Sequence, residues 1–373
     1  MKTIVFFSGY HLPHLGGIER YTDNLGKQLI KKGYKVVVVC SNHDNLKDDE
    51  IINGVRVLRI PVYNIFKSRY PIPKRNKKYH KIINELHKYD IEAIVVNTRF
   101  HLTTLVGAKY GKKNNIPVFL IEHGSQHLTV DNKVLDYFGS IYEHCLTKYV
   151  EKFVDYNYGV SLEACKWQEH FHIKSNGVWY NSINEFGKNV KSNKKNNEII
   201  ISYAGRILRQ KGIIELLEAF KKIKNQNVKL YIAGDGNLLP ELINKNKNDK
   251  NIIFTGKLDF DKLTELYAKT DIFVYAPNWP EGLPTSVLEA GFMKCCVIAS
   301  PYGGTKEIIQ NDENGIMITN QNELTEALDH LIKNKSLRRK YSNALYETIQ
   351  NKFLWSKTAE GVVRDIHEKI ECK

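Results

Sequence analysis

Twice along this chain, short segments built almost wholly from branched and aromatic apolar residues alternate with longer segments whose apolar residues recur every three or four positions. Strands that are apolar on both faces need cover on both faces, and amphipathic helices crossing between them supply it. The pattern therefore constrains the fold to parallel sheets sandwiched by helices. The first series opens with a strand at Ile4–Phe7, a loop with paired glycines from Ser8 to Gly17, a helix over Ile18–Lys32 with Tyr21, Leu25 and Leu29 on one face, and a strand at Val36–Cys40, a βαβ unit. Strands at Val55–Ile60, Ile91–Val96, Val118–Ile121 and Asn157–Val160 follow, with helices at Lys78–Lys88, Leu102–Lys113 and Val134–Phe153. A polar Lys/Asn stretch without periodicity, Gly187 to Asn197, reads as an interdomain linker. Beyond it the second series runs through strands at Ile199–Tyr203, Lys229–Ala233, Ile252–Thr255, Ile272–Tyr275 and Val297–Ala299, separated by helical segments such as Ile213–Lys224 and Pro284–Met293. A length of 373 residues exceeds what one core usually serves. The reading is α/β, two Rossmann-like domains over 1–185 and 186–350, with a terminal helical segment at 351–373. Ligands of such sheets bind at the carboxyl ends of the strands, so a cleft between the domains is the expected site.

The net charge of +14 favours anionic partners, but Lys and Asn are spread along the whole chain, so only local clustering is informative. No segment approaches the ~20 apolar residues needed to span a bilayer. The apolar start, Ile4 to Phe7, is too short for a signal peptide and runs into Ser8-Gly9-Tyr10-His11, so it is expected to be a buried first strand. The six cysteines show no metal-binding or redox spacing and are expected to be reduced thiols of a cytosolic protein.

Chemistry concentrates at strand ends. Glu281-Gly282-Leu283-Pro284-Thr285-Ser286-Val287-Leu288-Glu289 places one carboxylate on a loop and another in the second turn of a helix that Pro284 opens. The N–H groups of Thr285, Ser286 and Val287 are expected to be free at the positive end of that helix, where a diphosphate binds readily. Ala204-Gly205-Arg206-Ile207-Leu208-Arg209-Gln210-Lys211-Gly212 follows a strand and delivers Arg206 and Lys211, a fork and a point charge suited to phosphate oxygens. Gly16 and Gly17 precede the first helix and allow close approach of an anion. Glu122-His123-Gly124 ends the strand before it. Asp48-Asp49-Glu50 reads as a polar turn rather than a Mg²⁺-diphosphate clamp, and no metal constellation emerges from spacing.

From Asp271 to Gly304, and at Gly205-Arg206-x4-Lys211-Gly212, the sequence closely resembles retaining GT-B glycosyltransferases of the glycogen-synthase and mannosyltransferase-like family. The resemblance is strongest over 200–320 and weakest over 41–115. It implies two Rossmann-like domains facing a central cleft, with the segment from Phe353 crossing back to the first domain. It implies transfer of a hexose or N-acetylhexosamine from a nucleotide-diphosphate sugar, UDP ahead of GDP, with retention of configuration. On this pattern Arg206 and Lys211 grip the diphosphate, Glu289 takes the ribose hydroxyls, Glu281 holds the sugar with His123 beside it, Gly234 lets the backbone approach the nucleotide, and the backbone near Leu258 meets the base. Leu283 belongs to the same donor-binding stretch. No cofactor and no metal are expected. A sugar-nucleotide epimerase would share the architecture but would turn over donor without acceptor. A nicotinamide oxidoreductase needs a Gly-x-Gly-x-x-Gly that Gly9, Gly16 and Gly17 do not supply. A nucleic-acid binder would leave the carboxylates at the anion site unexplained, so no nucleic-acid partner is expected.

The acceptor is the least family-like part. Residues 63–81 carry seven Lys/Arg, no acid, and interleaved Phe, Ile and Tyr. That mixture suits an anionic headgroup layer and a lipid-linked sugar acceptor on the cytoplasmic face of a membrane.

Overall fold

The computed structural model describes residues 1–65, 70–127, 132–187, 190, 198–223, 227–279 and 282–371. The chain divides into two compact units, Met1–Asn181 with Trp355–Lys373, and Ser182–Leu354.

The N-terminal unit runs β1 (Thr3–Phe7), α1 (Gly17–Lys31), β2 (Lys35–Asn42), β3 (Asp49–Ile52), β4 (Val55–Ile65), β5 (Tyr70–Pro73), α2 (Lys77–Asn84), β6 (Ile91–Asn97), α3 (Leu102–Lys113), β7 (Val118–Glu122), α4 (Lys133–Val150), β8 (Tyr156–Gly159), α5 (Leu162–Glu169) and β9 (Gly177–Val178). Its strands order as β3-β4-β2-β1-β6-β7-β8-β9, parallel except for β3. The period of two is visible in β1: Ile4 and Phe6 enter the cluster beneath α1, whereas Val5 and Phe7 enter the one beneath α2 and α3. Gly107 of α3 has no room for a Cβ, which would stand 2.4 Å from the Phe7 ring, so helix and strand pack with nothing between them.

Two features depart from the expected pattern. Asn53 and Gly54 both take positive φ, 53° and 85°, and make a two-residue hairpin that pairs Ile52 with Val55. The acidic run read as a polar turn is therefore partly an edge strand. Asp49 pairs with Arg56 (2.6 Å), Glu50 with the fully buried Arg59 (2.5 Å), and Asp48 with Lys78 (2.7 Å). Antiparallel β5 then pairs with the outer part of β4. Within the basic segment 63–81, residues 66–69 lie outside those described, Tyr79 is buried in the core, and Tyr63 and Ile72 are exposed.

The second unit runs β10 (Ile199–Ala204), α6 (Ile213–Lys221), β11 (Val228–Ala233), α7 (Leu239–Asn246), β12 (Ile252–Gly256), α8 (Phe260–Lys269), β13 (Ile272–Tyr275), α9 (Thr285–Phe292), β14 (Cys296–Ala299), α10 (Thr305–Ile308), β15 (Ile316–Met317), α11 (Gln321–Lys333) and α12 (Lys335–Lys352). Its sheet, β12-β11-β10-β13-β14-β15, is parallel. The expected linker 187–197 falls almost entirely outside the described residues.

The last helix, α13 (Trp355–Glu371), belongs to the N-terminal unit. Trp355, Ala359, Val362 and Ile366 join Leu25 and Leu29 of α1 in one buried cluster. Polar contacts fix its register: Trp179 Nε1 donates to Asp365 (2.9 Å), Tyr34 Oη meets His367 Nε2 (2.8 Å), and Thr358 Oγ1 donates to the Tyr180 carbonyl (3.1 Å). The five described cysteines are free thiols, three of them buried. No described helix is long and apolar enough to cross a membrane.

Candidate active site

In each unit the strand order reverses at one point, between β1 and β6 and between β10 and β13. Open α/β sheets bind ligands outside the carboxyl ends of the strands at such points. In the second unit the loops leaving β10 and β13 carry Arg206, Lys211 and the start of α9.

These loops lie backbone on backbone. Gly212 has φ +70°, and a Cβ there would stand 1.7 Å from the Ala276 carbonyl oxygen. Gly234, at φ +142°, would place a Cβ 1.8 Å from the Gly205 oxygen. Both positions need glycine for conformation and for space. Hydrogen bonds close the same seams: Ile207 N to the Asp235 carbonyl (2.8 Å), Asn278 N to the Gln210 carbonyl (3.1 Å), and Tyr203 Oη to the Arg206 carbonyl (2.8 Å). Ile207 is buried between two exposed or half-exposed neighbours, so the Arg206 side chain is held outward by the anchoring of the residue after it. Gly234 is thus occupied in packing against Gly205, a structural demand the resemblance did not convey.

The expected anion site at α9 differs in detail. Val287 N–H is not free: it donates to the Pro284 carbonyl (3.2 Å), as the helix opens with a tight first turn. Among the described residues, the N–H groups of Thr285 and Ser286 donate no hydrogen bond. Leu283 is buried against Gly304, where a Cβ would stand 2.8 Å from its Cδ1, so its side chain serves packing. Glu289, half-buried in α9, accepts from Tyr267 Oη (3.3 Å). Burial, reinforced by the Glu289 charge, holds the Tyr267 phenol well above its ordinary pKa, so it remains a donor to that carboxylate. Leu258, half-exposed, follows Gly256 at the end of β12. Glu281 lies outside the described residues.

In the N-terminal unit His123 stands where β7 ends. Its Nε2 meets Asn97 Oδ1 (2.9 Å), while Asn97 Nδ2 donates to Thr22 Oγ1 (3.1 Å). The Asn97 oxygen must therefore accept, which puts the imidazole proton on Nε2 and a lone pair on Nδ1. The ring sits edge-on to Tyr21 (4.9 Å), and burial lowers its pKa to about 3, so it is neutral at physiological pH. Glu122, fully buried, organises the turn: Oε1 accepts from His123 N (3.0 Å) and Gly124 N (2.8 Å), and Oε2 from buried Arg99 (2.5 Å). Neither Asn97 nor Arg99 is visible as a partner from spacing, though Glu122 adjoins the residue singled out. Gly16 caps α1, and its N–H donates to the Glu19 carboxylate (2.9 Å). An anion arriving at Gly16 and Gly17 meets that carboxylate already in place.

One further grouping bears on the expectation that no metal is bound. His127, His144 and His170 come from three separate elements, and their ligand atoms lie within 4.8 Å of one another. No motif spacing joins them.

Residues 15–185 match the family model described as Glycosyltransferase Family 4, and residues 186–348 the one described as Glycosyl transferases group 1. An uncharacterised glycosyltransferase of Methanocaldococcus jannaschii is 28% identical over 383 residues, covering 96% of each chain. The GalNAc-alpha-(1->4)-GalNAc-alpha-(1->3)-diNAcBac-PP-undecaprenol alpha-1,4-N-acetyl-D-galactosaminyltransferase of Campylobacter jejuni is 24% identical over 345 residues, 88% of this chain and 89% of its own. Among solved structures, Anabaena HepE in complex with UDP shares the fold with TM-score 0.74 at 15% identity, over 99% of this chain and 100% of that one. With both family models in sequence along two Rossmann-like units, the chain belongs to the GT-B glycosyltransferases of the group 1 and family 4 kind.

Proposed function

We propose that this glycosyltransferase moves a hexose or N-acetylhexosamine from a nucleoside-diphosphate sugar, with UDP preferred over GDP, to a lipid-linked sugar acceptor, with retention. The observation that carries the reading is the glycine-locked loop presenting Arg206 and Lys211 at the β10/β13 reversal, next to the loop that enters α9. Two cations and the N–H groups of Thr285 and Ser286 suit a diphosphate that gains charge as it leaves. Glu289 takes ribose hydroxyls, and Glu281, with neutral His123, holds the transferred sugar. The likeness to HepE, solved with UDP, supports the donor class. The acceptor named for the Campylobacter relative supports a lipid-linked one. Interfacial working at the cytoplasmic face draws on the basic segment 63–81 and on Val134, Leu135, Tyr137, Phe138 and Ile141, which α4 leaves exposed.

The chemistry asked of the protein is positioning and electrostatic stabilisation, with a donor phosphate oxygen taking the acceptor proton. Transfer on this reading has no strict requirement for Mg²⁺ or Mn²⁺. The test is a thermal-shift screen of UDP-, GDP- and ADP-sugars. A ligand at 100 times its dissociation constant stabilises the native state by about 2.7 kcal/mol. One nucleotide series should stabilise the wild type and fail with Arg206→Ala or Lys211→Ala, whose turnover should fall by one to several orders of magnitude, as for a lost oxyanion donor (~2.7–4 kcal/mol). Indifference to every nucleotide sugar would sink the reading.

A further inference from the structure

We propose that His127, His144 and His170 form a binding site for one divalent transition-metal ion, Zn²⁺ foremost, which pins the loop after β7 to α4 and α5. His127 lies in that loop, His144 in α4, and His170 caps the C-terminus of α5. His127 Nε2 is 3.2 Å from His170 Nε2, which is 3.2 Å from His144 Nε2. A tetrahedral ion with Zn–N bonds of ~2.0–2.1 Å holds its ligand nitrogens roughly 3.3–3.4 Å apart. Two of the three nitrogen pairs already stand close to that spacing, and the third lies within 4.8 Å, so a small rotation of the exposed His144 ring completes the set.

Hydrogen bonding among the rings does not account for this convergence. Glu143, 1% exposed, accepts from His127 Nδ1 (3.0 Å), which places that proton on Nδ1 and leaves a lone pair at Nε2. His170 Nε2 then has either one proton to share between two acceptors, or a lone pair facing another lone pair. Ser140 Oγ, 3.2 Å from His127 Nε2, can donate to one of the three nitrogens in the metal-free chain. A cation gives all three lone pairs a partner.

The surroundings are those of a supported ligand set. Glu143 also accepts from buried Arg99 (2.7 Å), so the carboxylate that orients His127 is itself fixed. Trp167 stacks on the His170 ring at 4.7 Å and 6°, and Phe171 packs on His144 at 4.6 Å. An all-imidazole donor set suits Zn²⁺, Cu²⁺, Ni²⁺ or Co²⁺ and not the oxygen-seeking Mg²⁺ or Ca²⁺. His144 and His170 face solvent, which gives the ion an entry path and a water in the fourth position. The bound ion would restrain the loop that also carries His123, through Glu122, Arg99 and Glu143.

The test uses the full chain, purified without a histidine tag and stripped with chelator, titrated calorimetrically with Zn²⁺ and followed by Co²⁺ absorption. The wild type should take up one equivalent, show the visible spectrum of tetrahedral Co²⁺, and melt at a higher temperature with Zn²⁺ than without. His144→Gln and His170→Gln, both at exposed positions, should each weaken binding at least tenfold and abolish the thermal shift, while melting as the metal-free wild type does. A wild type that binds no Zn²⁺ at micromolar concentration overturns the proposal, as do variants that bind it equally well through other surface histidines. None of these readouts needs a sugar donor, so they stand apart from the transfer assay. Activity lost to EDTA and restored by Zn²⁺ but not Mg²⁺ would belong to this site.

Discussion

Besides His123, two further histidines of the N-terminal unit are buried in their neutral form, and acid should use all three to unfold it. His11 is 1% exposed, with neither ring nitrogen paired among the described residues, and His101 is 8% exposed, with Nδ1 unpaired. Desolvation lowers both to about 4; for His11 the nearby Asp23 opposes the shift and Arg59 adds to it. In the unfolded chain each regains a pKa near 6.5. Between those values the unfolded state binds more protons than the folded one, so the neutral pair's contribution is intact above about pH 6.5 and is lost as pH falls towards about 4. At about pH 5 each histidine costs roughly 2 kcal/mol, about 4 kcal/mol for the pair, a large share of an ordinary domain's 5–15 kcal/mol. The assay is urea unfolding at about pH 7.5 and about pH 5, followed by tryptophan fluorescence, with Trp167, Trp179 and Trp355 reporting on this unit. His11→Asn and His101→Asn should each remove roughly 2 kcal/mol of the pH-dependent loss, whatever they do to stability at neutral pH. If both variants keep the full wild-type pH dependence, or if the imidazole resonances of His11 and His101 titrate near 6.5 in the folded protein, the argument from burial is wrong.

Gly212→Ala forces a Cβ into the Ala276 carbonyl at positive φ, so the loop must shift; nucleotide-sugar turnover should fall at least tenfold while the fold, read by circular dichroism, survives. Glu289→Gln should weaken free nucleoside diphosphate in calorimetry, whereas Glu281→Gln should spare it and damage transfer; equal loss in both would refute the division of labour. Trp355→Ala empties a site that is 2% exposed beside Tyr21, and the N-terminal unit should lose about 3–5 kcal/mol in denaturant unfolding. A loss below about 1 kcal/mol would mean that the cluster under α1 closes without it.

Where the sequence carried a period, the structure followed it. The alternation of apolar strands and the Tyr21-Leu25-Leu29 face of α1 are local properties of the chain, and they are found in place. Asn53-Gly54 is a turn signal for the β3–β4 hairpin, but the pairing of the acidic run beside it with Arg56 and Arg59 needs the partner strand in view. Arg206, Lys211 and Gly212 declared themselves through their order at a strand end. His123 did so as well, but its tautomer is set by Asn97 and Thr22, residues 26 and 75 positions apart from their partners in the chain. The trio His127, His144 and His170 has no spacing to read, because three elements that adjoin only after folding supply one nitrogen each. The Val287 N–H shows a different limit: residue types do not say whether a first helical turn closes on itself, as this one does on the Pro284 carbonyl.

The N-terminal unit is interrupted in sequence, leaving at Asn181 and returning at Trp355, whereas the second unit is continuous and its two ends meet, Ile183 N donating to the Phe353 carbonyl at 3.0 Å. On the ribosome this inverts the usual order of completion. The first sheet emerges early, yet the face under α1 lacks α13 until everything from Ser182 to Leu354 has been made. At about 5–20 residues per second, that leaves apolar surface uncovered for roughly ten to thirty seconds, a window in which a holding chaperone has something to bind. The second unit, needing nothing that follows Leu354, can close during that interval, and its joined ends then bring the waiting helix back into reach.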